Sequence, residues 1–164
     1  MTGPTPRPQI LARVLTCYRI GDPDATYPIF DATGSTLFPG RWNTIATPVI
    51  YTSEHYSTAM LEKLVHGSGY LPPNQHFIEI TLPNGVGYEV LDTAKLPGWD
   101  DPTPGVSQRF GEAWQRSRRS LLLIVPSVVA RVDRNFLLNP DHPGITRVTH
   151  GLHQPVWWDE RLFR

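Results

Sequence analysis

Seventeen prolines and thirteen glycines are spread through 164 residues, and they constrain this chain more than any other feature. Proline removes a backbone donor and ends helices, while glycine marks turns, so a bundle of long helices does not fit between them. The chain must be built from many short elements joined by ordered loops. Its length is most simply one domain, large enough to bury a core without metals or disulfides. Leu121–Val125 is a near-continuous apolar run of strand length, suited to the centre of a sheet covered on both faces. His76–Leu82 alternates as a half-buried strand, and Gly87–Leu91 makes another after the Pro83-Asn84-Gly85 turn. Leu11–Ile20, Pro48–Thr52, Val128–Val132, Ile145–Val148 and Val156–Trp158 complete the expected extended segments.

Two helices stand out. Ser53 is placed to cap one that runs to about His66, where Gly67-Ser68-Gly69 stops it. Met60, Leu61, Leu64 and Val65 form its apolar stripe, and Glu62 falls about 130° from the centre of that stripe. The second helix lies within Thr103–Arg119, with Phe110, Ala113 and Trp114 at helical spacing. Between Gly21 and Pro39 the chain reads as a long loop, a candidate wall or lid. The sum is a single α+β domain of mostly antiparallel strands with flanking helices, spanning residues 11–164 behind a flexible lead-in at 1–10.

Charge narrows the function classes. Lysines and arginines balance aspartates and glutamates at net zero, which disfavours nucleic acid as a direct substrate, because phosphate neutralisation supplies most of such affinity. The cluster Arg116, Arg118 and Arg119 reads as a solvated helix end. No apolar run approaches a membrane span. A lone cysteine, Cys17, precludes an internal disulfide, fits a reducing cytoplasm, and sits in an apolar strand as core. No metal site is expected, since His150 and His153 lack a third ligand at useful spacing. Phosphate-binding glycine loops, a serine-nucleophile elbow and cysteine pairs are all missing from the sequence.

What remains is one compact unit. Gly40-Arg41-Trp42-Asn43 is followed by the strand bearing Tyr51 and then the helix bearing Glu62, at intervals of 10 and 11 residues. Turn, strand and helix can bring a guanidinium, a phenol and a carboxylate to a common cleft. Taken singly each is ordinary: Arg41 as a surface arginine, Tyr51 as core, Glu62 as an i,i+4 partner of His66, Ser127 as a turn serine.

Six blocks then occur in order along nearly the whole chain: Tyr18-Arg19, Gly40-Arg41-Trp42-Asn43, Tyr51-Thr52-Ser53-Glu54, Leu61-Glu62, Pro126-Ser127 and Asn135-Phe136-Leu137-Leu138-Asn139-Pro140. Together they resemble the RES domain family, the toxin half of bacterial RES–Xre toxin–antitoxin pairs. Pro39-Gly40 replaces the double glycine frequent before the family's arginine, and Thr47-Pro48 lacks a preceding glycine. The resemblance implies an ADP-ribosyltransferase-like fold and consumption of NAD+ as substrate, by hydrolysis or with inorganic phosphate as co-substrate. It also implies an Xre-type helix-turn-helix antitoxin as partner. ADP-ribosylation of a protein is the first alternative, and an inert nucleotide- or antitoxin-binding protein the second. Carried onto this chain, the resemblance makes Glu62 the carboxylate that stabilises the ribosyl cation and puts Arg19 and Arg41 on the pyrophosphate. Tyr51 would stack on nicotinamide, and Ser127 would bond ribose or carboxamide or orient Glu62.

Overall fold

The computed structural model describes residues 7–164; the first six residues of the expected lead-in lie outside them. Nine strands form one sheet: β1 (Gln9–Ile10), β2 (Leu15–Gly21), β3 (Ile50–Ser53), β4 (His76–Leu82), β5 (Gly87–Val90), β6 (Leu122–Pro126), β7 (Arg134–Leu138), β8 (Thr149–His150) and β9 (Gln154–Pro155). Their order is β1-β5-β6-β7-β3-β2-β4-β8, with β9 also on β4. Every pair is antiparallel except β5 with β6. The helices are α1 (Thr33–Leu37), α2 (Tyr56–Val65) and α3 (Gly105–Ser117). The α+β, mostly antiparallel expectation holds.

Burial on both faces explains the apolar run. Leu122 and Ile124 of β6 enter a cluster with Cys17, Ile50, Ile80 and Phe136. Leu123 and Val125 enter the opposite one with Trp42, Val49, Trp114 and Leu137. Each such side chain contributes about 1.5–3 kcal/mol relative to exposure, so β6 anchors both layers. Trp114 of α3 closes the second layer, its indole donating to Ser120 Oγ at 2.9 Å.

The sheet is pinched at one point. β2 and β3 share a single paired position, Tyr18 with Ser53, whereas β2 pairs with β4 along its whole length. Beside that pinch Arg19 bridges the gap, donating from Nη1 to the Tyr51 carbonyl at 2.8 Å.

Several expectations give way. Gln9–Ile10 is not free lead-in but a strand on β5, and β2 starts only at Leu15. The loop 21–39 contains α1. Val128–Val132 is a turn rather than extended chain, because Ser127 N–H bonds the Asp133 carbonyl at 3.0 Å and closes the loop on itself. Ile145–Val148 lies largely in a 3-10 turn started by Pro143, leaving Thr149–His150 as the strand. β9 precedes Val156. The arginine cluster is only partly solvated, for Arg119 pairs with Glu89. Arg118 ends α3 in the left-handed conformation.

Cys17 is fully enclosed and burial pushes its thiol up to about 12. Thiolate is the reactive form, so the folded protein should resist alkylation at neutral pH and take one label only after denaturation. Rapid native labelling, read by mass spectrometry, would mean that the β2–β4 seam opens.

Candidate active site

The helix carrying Glu62 follows its apolar pattern only in part: Met60 packs inward and Leu64 is half-buried, but the rest of the stripe is not. Ser53 does not cap it; Ser53 ends β3, and α2 begins at Tyr56. Thr58 and Ala59 are its buried residues, while Leu61 and Val65 are exposed. Glu62 lies four and three residues on from that pair, and so on the inward face. There its Oε1 accepts two hydrogen bonds, from Ser127 Oγ at 2.7 Å and from Asn135 Nδ2 at 2.7 Å. Oε2 accepts none among the described residues. The ordinary reading of Glu62 as a partner of His66 fails.

Arg41 belongs to a braced turn. Tyr51 donates its hydroxyl proton to Asn43 Oδ1 at 2.7 Å and accepts from Trp42 N–H at 3.0 Å. Burial raises the phenol's pKa, so it stays a neutral donor. A methyl group on Gly40 would stand 2.8 Å from the Tyr51 ring, which is why glycine is required at this approach. From this turn Arg41 Nη1 donates to the carbonyls of Trp99 at 3.0 Å and Asp101 at 2.8 Å. Its Nε and Nη2 have no partner among the described residues.

Contacts close a ring around the site. Tyr51 and Ser53 stand on the same face of β3, roughly 7 Å apart. Ser53 Oγ donates to Asn135 Oδ1 at 2.8 Å, and Asn135 leads to Glu62 and Ser127. Ser127 Oγ also accepts the Ala130 N–H at 3.0 Å, and the next residue, Arg131, pairs with Asp100 and lies over the Trp99 ring at 5.7 Å. Trp99 and Asp101 return to Arg41. This chain of contacts links two guanidiniums, at Arg41 and Arg131, to the Glu62 carboxylate through intervening residues.

Arg19 is not on that ring. It alternates with Tyr18 and Ile20, which pack toward α2, and its nitrogens are occupied by three carbonyls: Ile29 at 2.6 Å, Tyr51 at 2.8 Å and Asp31 at 3.4 Å. Burial lowers its pKa, partly offset by Asp31. Of the five expected residues, then, Glu62 and Ser127 touch, Arg41 and Tyr51 share a braced turn, and Arg19 ties the loop 21–39 to β3.

A family model described as the RES domain matches residues 16–159. The chain belongs to the RES domain family. The Prs ADP-ribosylating toxin of Sphingobium sp. (strain YBL2) is 36% identical over 154 residues, covering 90% of this chain and 96% of the relative. A Toxin Res of Photorhabdus laumondii is 32% identical, covering 75% and 80%. The solved M. tuberculosis MbcT–MbcA toxin–antitoxin complex contains a chain of the same fold. Its TM-score is 0.70 at 17% identity, over 90% of this chain and 86% of that one.

This RES domain has a concavity of about 450 Å³ lined by Phe30, Asp31, Ile50 and Asp141 among others. It opens on the Ile50 side of the sheet and includes none of the five expected residues. Among the described residues no group of three or more His, Cys, Asp or Glu could hold a metal. His153 approaches not His150 but His76, Nδ1 to Nδ1 at 2.9 Å. No helix among them is long and apolar enough to cross a membrane. Asn135 and Arg131 are site residues that sequence reasoning did not single out for a role, and Ser53 was expected as a helix cap rather than as a partner of Asn135. Asn135 had a signal, since it alternates with Leu137 ahead of an apolar pair.

Proposed function

We propose that this RES domain is a toxin that destroys NAD+ by splitting the nicotinamide–ribosyl bond, with water or phosphate as acceptor. The observation that carries this reading is the Glu62 carboxylate, fixed through one oxygen by Ser127 and Asn135 with the other left for substrate. Departure of nicotinamide leaves a ribosyl centre of oxocarbenium character. A preorganised anion beside it stabilises charge that exists only as the bond breaks, and such interactions lower the barrier. Nicotinamide leaves neutral from a cationic ring, so no general acid is needed. Arg41 supplies the fork for the pyrophosphate through its free nitrogens, while Nη1 keeps the arm in place. Tyr51 holds that turn and offers its ring to the cationic nicotinamide, an attraction that fades once the ring is neutral. In this reading Ser127 orients Glu62, and Arg19 serves by bracing the loop 21–39.

Incubating purified protein with NAD+, with and without phosphate, tests the reading by mass spectrometry of products. Nicotinamide with ADP-ribose supports hydrolysis, and phosphorylated ADP-ribose supports phosphorolysis. Intact NAD+ in the presence of folded protein overturns both. A second reading, transfer of ADP-ribose to a protein, draws support from the name of the Sphingobium relative. Labelled NAD+ separates them, because only transfer leaves label on a protein band. The fold shared with a chain of the MbcT–MbcA toxin–antitoxin complex supports an antitoxin partner, which we propose to be of the Xre type and to act in the cytoplasm.

Arg41→Lys should lower kcat/KM by about 10- to 100-fold, mainly through KM. Lysine keeps the charge but cannot serve two carbonyls and a phosphate with one planar fork. Steady-state kinetics within twofold of wild type would remove Arg41 from the phosphate.

A further inference from the structure

Glu62 has two hydrogen-bond donors, and the less obvious one is the better anchored. Ser127 is on a loop, just after β6. Asn135 is inside the sheet, in register with Val125 of β6 on one side and Ser53 of β3 on the other. Ser53 is almost wholly buried, and its hydroxyl lies 2.8 Å from Asn135 Oδ1. A carboxylate can only accept, so the amide must turn its NH2 toward Glu62 and its oxygen toward Ser53. That orientation leaves the Ser53 proton one role, donation to Oδ1. Sequence position, strand register and hydrogen-bond polarity therefore fix the amide in a single pose. Both donors converge on Oε1, and the free Oε2 is thereby set in one direction.

We propose that Asn135, locked by Ser53, is the positioning residue that aims the Glu62 carboxylate at the reacting ribose. This rests on the reading of Glu62 as the group that stabilises NAD+ cleavage. Asn135 does not touch substrate; it acts through Glu62.

Asn135→Asp tests this with an isosteric change. One new carboxyl oxygen still accepts from Ser53, and the other faces Glu62 Oε1 in place of the amide NH2. Two carboxylates so close cannot both ionise readily, so the pair retains one proton and its apparent pKa rises. While that proton remains, the acid O–H donates to Glu62 as the amide did. Once it is lost, repulsion turns Glu62 away. The ratio of Asn135→Asp to wild-type kcat should therefore lie within about threefold near pH 5. By about pH 8 it should fall about 10- to 100-fold, the worth of one hydrogen bond to a charged group. Asn135→Ala should lose about the same factor at every pH, with KM changed less than about threefold.

A merely structural asparagine would lower the melting temperature without that pH-dependent recovery. A flat Asn135→Asp ratio, or wild-type kcat in Asn135→Ala, overturns the proposal. If Asn135→Asp melts below the assay temperature, Asn135→Ser stands in: lower kcat at unchanged KM supports the role, and unchanged kcat overturns it. Glu62→Gln is assayed alongside. Loss there with normal Asn135 variants sinks the positioning role alone, whereas normal turnover in Glu62→Gln sinks the reading beneath it.

Discussion

Glu62→Gln should reduce NAD+ turnover at least about a thousandfold while leaving a folded protein. The substitution preserves shape. Glutamine's carbonyl oxygen can still accept from Ser127 Oγ and Asn135 Nδ2, the two bonds made by Oε1. What goes is the negative charge. Weaker bonds to a neutral acceptor cost about 1 kcal/mol of stability, a few degrees in a chain of this size. Losing the anion beside a ribosyl cation costs about 4 kcal/mol in the barrier, which corresponds to the thousandfold. The two effects differ enough to be separated by a melting curve and an NAD+ consumption assay on the same sample. Turnover within tenfold of wild type in the folded variant would take Glu62 out of the chemistry. Growth arrest on expression should vanish in parallel, and persistent arrest would favour the non-enzymatic alternative.

Legibility from sequence followed the physics of each element. The central strand was plain because Leu121–Val125 buries both faces, and only apolar residues satisfy that. The helix α2 was legible as a helix but not in its orientation. A hydrophobic stripe is assumed to face the core, yet Leu61 and Val65 face outward and the inward face carries Thr58, Ala59 and Glu62. The reason is visible at the partners: Ala59 and Met60 pack on Ile20 and Val156, but Thr58 bonds Asp133 and Glu62 bonds Ser127 and Asn135, so part of that interface is a polar network. Periodicity cannot register an inward face of that kind. Asn135 is obscured by Asn139, Pro140 and Pro143 downstream, which favour a turn, although its own pairing is with β3 and β6. Val128–Val132 misled in the opposite sense. Its β-branched residues favour a strand, but the Ser127–Asp133 closure makes it the loop that delivers Arg131 to Asp100. For Asn135 the deciding partner, Ser53, is remote in sequence, whereas for Val128–Val132 it is a local closure that β-propensity does not register.

Among the described glycines Gly111→Ala should be the most damaging, and it acts at the Arg41 turn from the α3 side. Gly111 is in α3, where its Cα presses on the backbone of Trp42. An added Cβ would stand 2.6 Å from the Trp42 carbonyl carbon, 3.0 Å from its Cα, and closer still to the carbonyl oxygen. Helix propensity alone favours alanine over glycine by about 1 kcal/mol. Overpacking against side chains costs about 1–3 kcal/mol, and here the obstacle is backbone, which cannot rotate away. The clash therefore outweighs propensity, and the net loss should reach about 3 kcal/mol, or roughly 10 °C in melting temperature. Function should suffer beyond stability. Relief requires α3 and the Gly40–Asn43 turn to separate, yet Gln108 bonds the Gly40 carbonyl at 3.2 Å, and Trp42 meets Phe110 and Trp99 at ring distances of 6.3 and 6.4 Å. Arg41 moves with Trp42, so KM for NAD+ should rise even well below the melting temperature. Gly34→Ala provides the contrast, since nothing lies within 4 Å of its would-be Cβ in α1, and it should be neutral or slightly stabilising. Equal melting temperatures for the two variants would show that α3 does not bear on Trp42, and the bracing of Arg41 would then need another origin.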